Sequence, residues 1–409
     1  MRYDLEVHDK PHRASCPSRP SMMQAAAAGD LAFARALHAE LRKEHGNLFF
    51  SPASVRLAMG MIAMGARGKT AEELTQGLVL DKDLTKSATG FAAILANFAQ
   101  RAHGELRPDK VPRERQEAEH KASTVAIANR VWPQAGRHFE PSFSDAMASY
   151  FGAPMQALDF EASTEAARKT INAWVAEQTT QKIPALLLPR DVQSDTKMIL
   201  TNAIYFKARW QVPFSKRATR KIPFITASGA KKSVQMMIHE GYMAYAETPT
   251  YQALALPYAD GSLSMTILLP RKGQSLAEVE AVALAEGATP LSMQNVRLRL
   301  PRFKIEARFS LGKTLATMGM ASAFLRGLAN FSGIDGTRDL FIGDVVHQAV
   351  ISVDESGTEA TGTTAAMEEL ALVIAPKEFF ADRPFAFFLR DAKTGVVLFV
   401  GRLADPSAK

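Results

Sequence analysis

Cysteine is nearly absent from this chain. Cys16 is the only one in 409 residues, which excludes an intrachain disulfide framework and a thiolate metal site. No stretch approaches the roughly 18 apolar residues of a membrane-spanning helix, so no membrane partner is expected. The first residues, Met1 to Arg13, carry charges where an export signal needs an apolar core. As written the chain reads as cytoplasmic, and as extracellular only if its start is misassigned. No Gly-x-Ser-x-Gly elbow, His-Glu-x-x-His zinc motif or glycine-rich dinucleotide turn is present. The nine histidines are scattered, and nothing converges as nucleophile, base and orienting acid. The expectation is a protein that is not an enzyme and uses no cofactor or metal. A Gly-, Pro- or Ser-rich linker is missing between residues 122 and 350. That argues for one large domain, 25–409, behind an N-terminal extension over 1–24 whose Pro, Ser, Arg and His content reads as disordered.

Charge is present but unfocused. The formal net charge is +7, and the basic clusters Lys216, Arg217, Arg220, Lys221 and Lys231, Lys232 lack interleaved aromatics. They read as solvated surface, with no nucleic-acid partner. Ala63 to Thr70 nearly matches a phosphate-binding loop, which would make Lys69 a nucleotide ligand. A helical pattern precedes it where a strand is required, and alanine replaces the opening glycine, so nucleotide binding is rejected.

Periodicity then orders the chain. Leu31, Phe33, Leu37 and Leu41 repeat at helical spacing behind Asp30 as N-cap. Leu48 to Phe50 is a short buried strand, and Ser51-Pro52 opens a second helix. Thr70 and Glu73 read as a capping box for a third. Strands are predicted at Ser123 to Trp132, Met155 to Phe160 and Lys197 to Phe206. Further strands follow at Ser233 to Met237, Tyr242 to Glu247, Ala253 to Pro257, Leu263 to Leu269, Val296 to Leu300 and Ala349 to Val353. Helices are predicted at Phe143 to Tyr150, Thr164 to Thr179 and Ser310 to Met318. The chain ends in a hairpin closed at Ala392 to Gly395. Helices concentrate early and strands late, which is the α+β pattern. His347, inside an apolar strand, needs a hydroxyl or amide partner.

One stretch stands apart. Glu355 to Ala371 carries almost no bulky side chain before Met367, yet it lacks proline and is rich in threonine. By composition alone it is a solvated linker. It is also a segment that an existing sheet can accept as a strand, because threonine favours a pleated backbone and small residues fit closely packed faces.

Several stretches together resemble the serpin family. Asn47-Leu-Phe-Phe-Ser-Pro-Ala-Ser54 and Gly65-Ala-Arg-Gly-Lys-Thr70 resemble its N-terminal signature. Leu200 to Trp210, followed by Pro213-Phe214, resembles its central strand and the top of its main sheet. Glu355-Ser-Gly-Thr-Glu-Ala-Thr-Gly362 is similar to the hinge of inhibitory members. Asp382-Arg-Pro-Phe385 and Phe399-Val-Gly-Arg402 resemble its C-terminal motif, with Ala386 smaller than the family's usual residue. The matches are collinear from about Asp30 to Asp405, and an inhibitory, prokaryotic-like member is expected.

The resemblance implies an α+β serpin fold of about nine helices and three β-sheets, with an exposed reactive-centre loop at about 355–380. It implies a monomer whose partners are serine proteases. A protease attacks a loop bond and forms an acyl-enzyme, and the cleaved loop then enters the main sheet as a strand. By the same resemblance the hinge is Glu355, Gly357, Thr358, Glu359, Ala360 and Gly362. Thr358, Ala360, Gly362, Thr364 and Ala366 would face the core after insertion, and Glu368 continues that parity with a charge. Arg302 would pair with Glu355 beside Trp210, in the breach at the top of the sheet. Ser51, Ser54, Asn202 and His347 match the polar cluster, or shutter, that parts beneath it. The family's spacing from Glu355 puts the reactive bond at Ala371-Leu372, whereas counting back from Pro384 puts it at Val373-Ile374. Either bond has an apolar acyl side, so elastase-, chymotrypsin- or subtilisin-like proteases are the expected targets. The alternative is a non-inhibitory relative acting as a binding or chaperone-like protein.

Overall fold

The computed structural model describes residues 19–102, 124–284, 290–358 and 375–408. Its helices are α1 Arg19–Leu41, α2 Pro52–Ala63, α3 Gly68–Gly77, α4 Leu84–Ala102, α5 Pro141–Phe151, α6 Phe160–Gln178, α7 Leu276–Ala283, α8 Gly312–Leu315 and α9 Ser332–Asp335. The strands are β1 Leu48–Phe50, β2 Thr124–Pro133, β3 Met198–Arg209, β4 Arg220–Ile225, β5 Lys231–Glu247, β6 Tyr251–Pro257 and β7 Leu263–Pro270. They continue with β8 Ser292–Pro301, β9 Phe303–Ser310, β10 Val346–Asp354, β11 Gly357–Thr358, β12 Lys377–Phe380, β13 Phe385–Asp391 and β14 Val397–Leu403.

The strands form two hydrogen-bonded sheets, one of five strands and one of nine in which the long β5 joins two arms. The first sheet has the order β2-β3-β11-β10-β9. The 17-residue β5 pairs with β4 and β8 along most of its length, with β12 beyond β8, and turns its last residues to β6. From β6 the hydrogen bonding continues through β7, β13 and β14 to β1. Aromatic side chains join the layers: Phe49 stacks on Phe399 with ring centroids 4.9 Å apart, and Phe206 contacts both Phe399 and Tyr258. α6 covers the opposite face of the first sheet, where Ile171 and Val175 cluster with Ala203, Val346 and Val350.

Local departures from the sequence pattern have physical causes. α1 starts at Arg19, so residues 19–24 are helical and Asp30 is not an N-cap. Asp30 is instead buried, and its carboxylate accepts the Val397 N–H at 3.2 Å. α3 begins at Gly68, which places Thr70 and Glu73 inside the helix rather than in a capping box. The Thr70 hydroxyl accepts the Asn330 N–H at 3.0 Å and the Glu73 carboxylate accepts the Ser322 N–H at 2.8 Å, so both tie the helix to a distant loop. Met155 to Phe160 forms no strand, only an isolated bridge between Leu158 and Gln134. The helix read at Ser310 to Met318 is observed as α8 continued by a π-helical turn over Ala316–Met320, broken by Gly319 with φ +97°.

Candidate functional site: a hinge wedged into a strand seam

The central observation concerns β3 and β10. Over Thr201–Tyr205 and Val346–Val350 the two strands pair directly and in parallel. Above that point they part, and Gly357 and Thr358 of β11 sit between them. Gly357 lies opposite Arg209 and Asp354, and Thr358 opposite Ala208 and Val353, antiparallel on both sides. A new strand has thus begun at the top of a closed seam.

Sequence explains why this wedge fits. Gly357 has φ +149°, and a Cβ built on it would lie 2.2 Å from the Ala208 carbonyl oxygen and 2.6 Å from the Arg209 Cα. Only glycine can approach another backbone this closely without displacing it. Glu355, just before the wedge, is 2% exposed. Its carboxylate accepts from Arg302 Nε at 2.7 Å and Nη2 at 2.5 Å, and from the Thr219 hydroxyl at 2.5 Å. Burial opposes ionisation of Glu355, but these hydrogen bonds outweigh it and its pKa falls below the usual carboxylate value. Burial pushes the neighbouring Asp354 the other way, with the Glu355 charge adding to the effect.

Trp210 completes this upper end. Its indole N–H donates to the Asp354 carbonyl at 3.0 Å, its own backbone N–H donates to Ser356 O at 3.0 Å, and its ring stacks on Tyr258 at 4.7 Å. The Phe214 N–H holds the Glu355 carbonyl at 2.8 Å. Trp210 and Phe214 thus tie the residues just before the wedge to the segment that follows β3.

Beneath the seam lies a fully buried polar cluster. The Ser51 N–H donates to His347 Nε2 at 3.0 Å, so that nitrogen is the acceptor and the proton sits on Nδ1, facing Asn202 Oδ1 at 2.5 Å. The Asn202 amide donates to Ser54 O, Ser54 Oγ and Asn129 Oδ1 at 2.8–2.9 Å. The Ser51 hydroxyl caps α2 by accepting the Ser54 N–H at 3.1 Å. Burial lowers the His347 pKa to about 3, so the ring is neutral.

Ser51, Ser54, Asn202 and His347 therefore meet in one network, and Trp210, Arg302 and Glu355 in another. Two participants escaped the sequence reading. Asn129, a lone amide in the apolar run of β2, was legible as a polar interruption. Thr219 lies within a basic cluster and carried no signal. Glu359, Ala360, Gly362, Thr364, Ala366, Glu368 and the candidate bond residues Ala371, Leu372, Val373 and Ile374 lie outside the described residues.

Comparison with known proteins places this architecture. The family model described as Serpin (serine protease inhibitor) matches residues 28–406. The chain belongs to the serpin family. Among curated relatives, this serpin is 37% identical to a leukocyte elastase inhibitor of Bos taurus over 88% of its own length and 93% of the relative's. It is 36% identical to human serpin B8 with the same coverage. Among solved structures, uncleaved ovalbumin superposes with a TM-score of 0.78 at 26% identity, covering 94% of this chain and 100% of that one. Serpin48 of the insect Tenebrio molitor gives 0.77 at 29% identity, covering 95% and 98%.

Proposed function

We propose that this serpin is a suicide inhibitor of serine endopeptidases that traps its target by completing the strand begun at β11. The protease attacks a bond in the loop, at Ala371-Leu372 or Val373-Ile374, and forms an ester between its serine and the loop carbonyl. The released segment from Glu359 onward then enters between β3 and β10 and carries the acylated protease with it. Apolar residues on the acyl side of either bond favour elastase-, chymotrypsin- and subtilisin-like enzymes. The relatives named for leukocyte elastase support the same class.

The observation that carries this reading is the register of the wedge. Continued one residue at a time, both ladders bring Thr364 opposite His347 on one side and Asn202 on the other. His347 and Asn202 are already paired with each other in the closed seam. One inserted residue would therefore separate each existing couple, and the two ladders agree without slippage. The same extension sets Glu359 beside Lys207. It carries Glu368 to Met198, the first residue of β3 and partly exposed, so the charge meets the sheet's lower edge rather than its centre.

Magnitudes are adequate. Opening the seam removes one parallel pairing of five residue couples, and insertion builds two antiparallel ladders, which are the more stable kind. About a dozen net backbone hydrogen bonds at ~0.5–1.5 kcal/mol each amount to on the order of 10 kcal/mol. Slowing deacylation a millionfold takes about 8 kcal/mol. The test is incubation with elastase, chymotrypsin and subtilisin. The expected product is an SDS-stable 1:1 complex, with mass spectrometry of the released C-terminal fragment fixing the bond. Cleavage by all three with no complex would leave a serpin-fold substrate or binding protein instead.

A further inference from the structure

Two large side chains stand exposed on the outer face of the sheet that receives the chain after the bait. Tyr242 of β5 is 68% exposed and Met293 of β8 62%. Tyr242 is in register with Asn295, and Met293 with Ala244, so all four share one face. Tyr242 and Met293 are diagonal neighbours on it, roughly 7–8 Å apart and within reach of each other's side chains. The residues between them, Met243, Tyr245 and Val296, point the other way into the core. Farther along the outer face Arg297 meets Glu240 at 2.8 Å, each a little under half exposed. A lone exposed apolar residue is ordinary on a protein surface. This pair is set apart by its position.

Lys377, the first residue of β12, lies opposite Val296, and Val296 opposite Gly241. Tyr242 is therefore one residue from the row on which the chain re-enters the sheet, two strand spacings of about 4.8 Å away. A chain spans at most about 3.6 Å per residue. A bond at 371–372 or 373–374 thus lies within roughly 14 Å of Ala375, the residue at which the described chain resumes. A globular protease of about 220 residues has a radius of gyration of about 17 Å, so a body held on either bond is large enough to reach this face. We propose that Tyr242 and Met293 form a docking surface for the body of the target protease, with the Arg297–Glu240 pair at its rim. Naming a protease as the occupant rests on the inhibitor reading above. Interface size points the same way: protease–inhibitor contacts take about 20–30 residues a side, more than a bait segment threaded through a cleft supplies. The remainder must come from the body next to the loop's ends. Tyrosine is a frequent anchor at such contacts, and methionine adapts its shape to the partner. The surface acts on encounter, before acylation. It leaves the later choice between trapping and release untouched, because an inserting loop carries the protease away from it.

The test compares the full chain with its Tyr242→Ser, Met293→Ser double variant. The readout is the second-order rate of attack on the loop, counting cleavage and complex together, by whichever of elastase, chymotrypsin and subtilisin acts fastest on the wild type. The variant should be attacked at least tenfold more slowly. Its melting midpoint and the fraction of attacks ending in SDS-stable complex should both match the wild type, which a merely structural role would not leave in place. An unchanged rate of attack would overturn the proposal. So would a wild-type dimer in sedimentation that the variant abolishes, because the face would then belong to a second copy of the chain. If the wild type is cleaved without any complex, the inhibitor reading fails. The rate comparison still decides whether a protease docks on this face.

Discussion

His347 and Asn202 face each other across the seam between β10 and β3, paired in register and joined from ring nitrogen to amide oxygen at 2.5 Å. Any strand that enters here must part them. The closed sheet is therefore held at its centre by the contact that insertion has to break, with Ser51, Ser54 and Asn129 fixing the two partners from below.

The neutral imidazole makes this centre sensitive to acid. The His347 pKa is lowered to about 3 by burial, against about 6.5 in the unfolded chain. Between those values the unfolded state takes up a proton that the folded state refuses. The contribution of His347 is complete above about pH 6.5 and is lost progressively as pH falls toward 3. Its recorded contacts, Ser51, Asn202 and the stacked Phe309 ring, are uncharged. His38, lowered to about 4 mainly by burial, acts in the same direction. Asp30, raised to about 7 by burial, acts in the opposite direction, so the signature of His347 is the difference between wild type and variant in denaturant titrations from pH 7.5 to 4, up to about 1.4 kcal/mol per unit for one such group. His347→Gln should be less stable at pH 7, and the gap should narrow as pH falls.

Thr358→Arg should convert the inhibitor into a substrate. Thr358 is in register with Ala208 and Val353, and the proposed insertion requires an arginine there to be buried without a partner, at a cost of several kcal/mol. Cleavage should proceed at the normal rate while the yield of SDS-stable complex falls at least tenfold. Undiminished trapping would mean that the hinge does not enter the sheet.

Gly357→Ala tests the wedge itself. With φ +149° and the Ala208 carbonyl oxygen 2.2 Å from the new Cβ, the substitution should cost about 1–3 kcal/mol or expel β11. Hydrogen exchange at the amides of Ala208 to Trp210 should become faster, and the intact protein should melt lower. An unchanged exchange pattern would show that the close approach at Gly357 is not tight.

Much of this was legible before any coordinates. The continuous apolar run of β3 and the alternation of β6, β7 and β8 gave their strands directly, because burial on two faces or one writes itself into residue order. β9 was missed although Phe303, Ile305, Ala307 and Phe309 alternate with Lys304, Glu306 and Arg308. The alternating positions are all charged, and charge reads as loop when the covered face is unknown. Asp30, Thr70 and Glu73 looked like helix caps because their chemistry suits caps, yet each reaches an element hundreds of residues away in the chain. The hinge was the opposite case. Its small residues resembled a linker by composition, and only collinear family motifs, and then the register of β11, distinguish a linker from an unfinished strand.

The most direct test is a reversible lock on the seam. Ala203 and Gln348 are register partners on adjacent strands, whose spacing of about 4.8 Å falls within the range a disulfide can bridge. Ala203→Cys with Gln348→Cys, in a chain whose single native thiol has been removed by Cys16→Ser, would close the seam on oxidation. The account predicts that the oxidised protein is cleaved by elastase without forming an SDS-stable complex, and that reduction restores trapping. Full trapping by the oxidised protein, with the disulfide verified by mass spectrometry, would contradict the claim that the loop enters between β3 and β10.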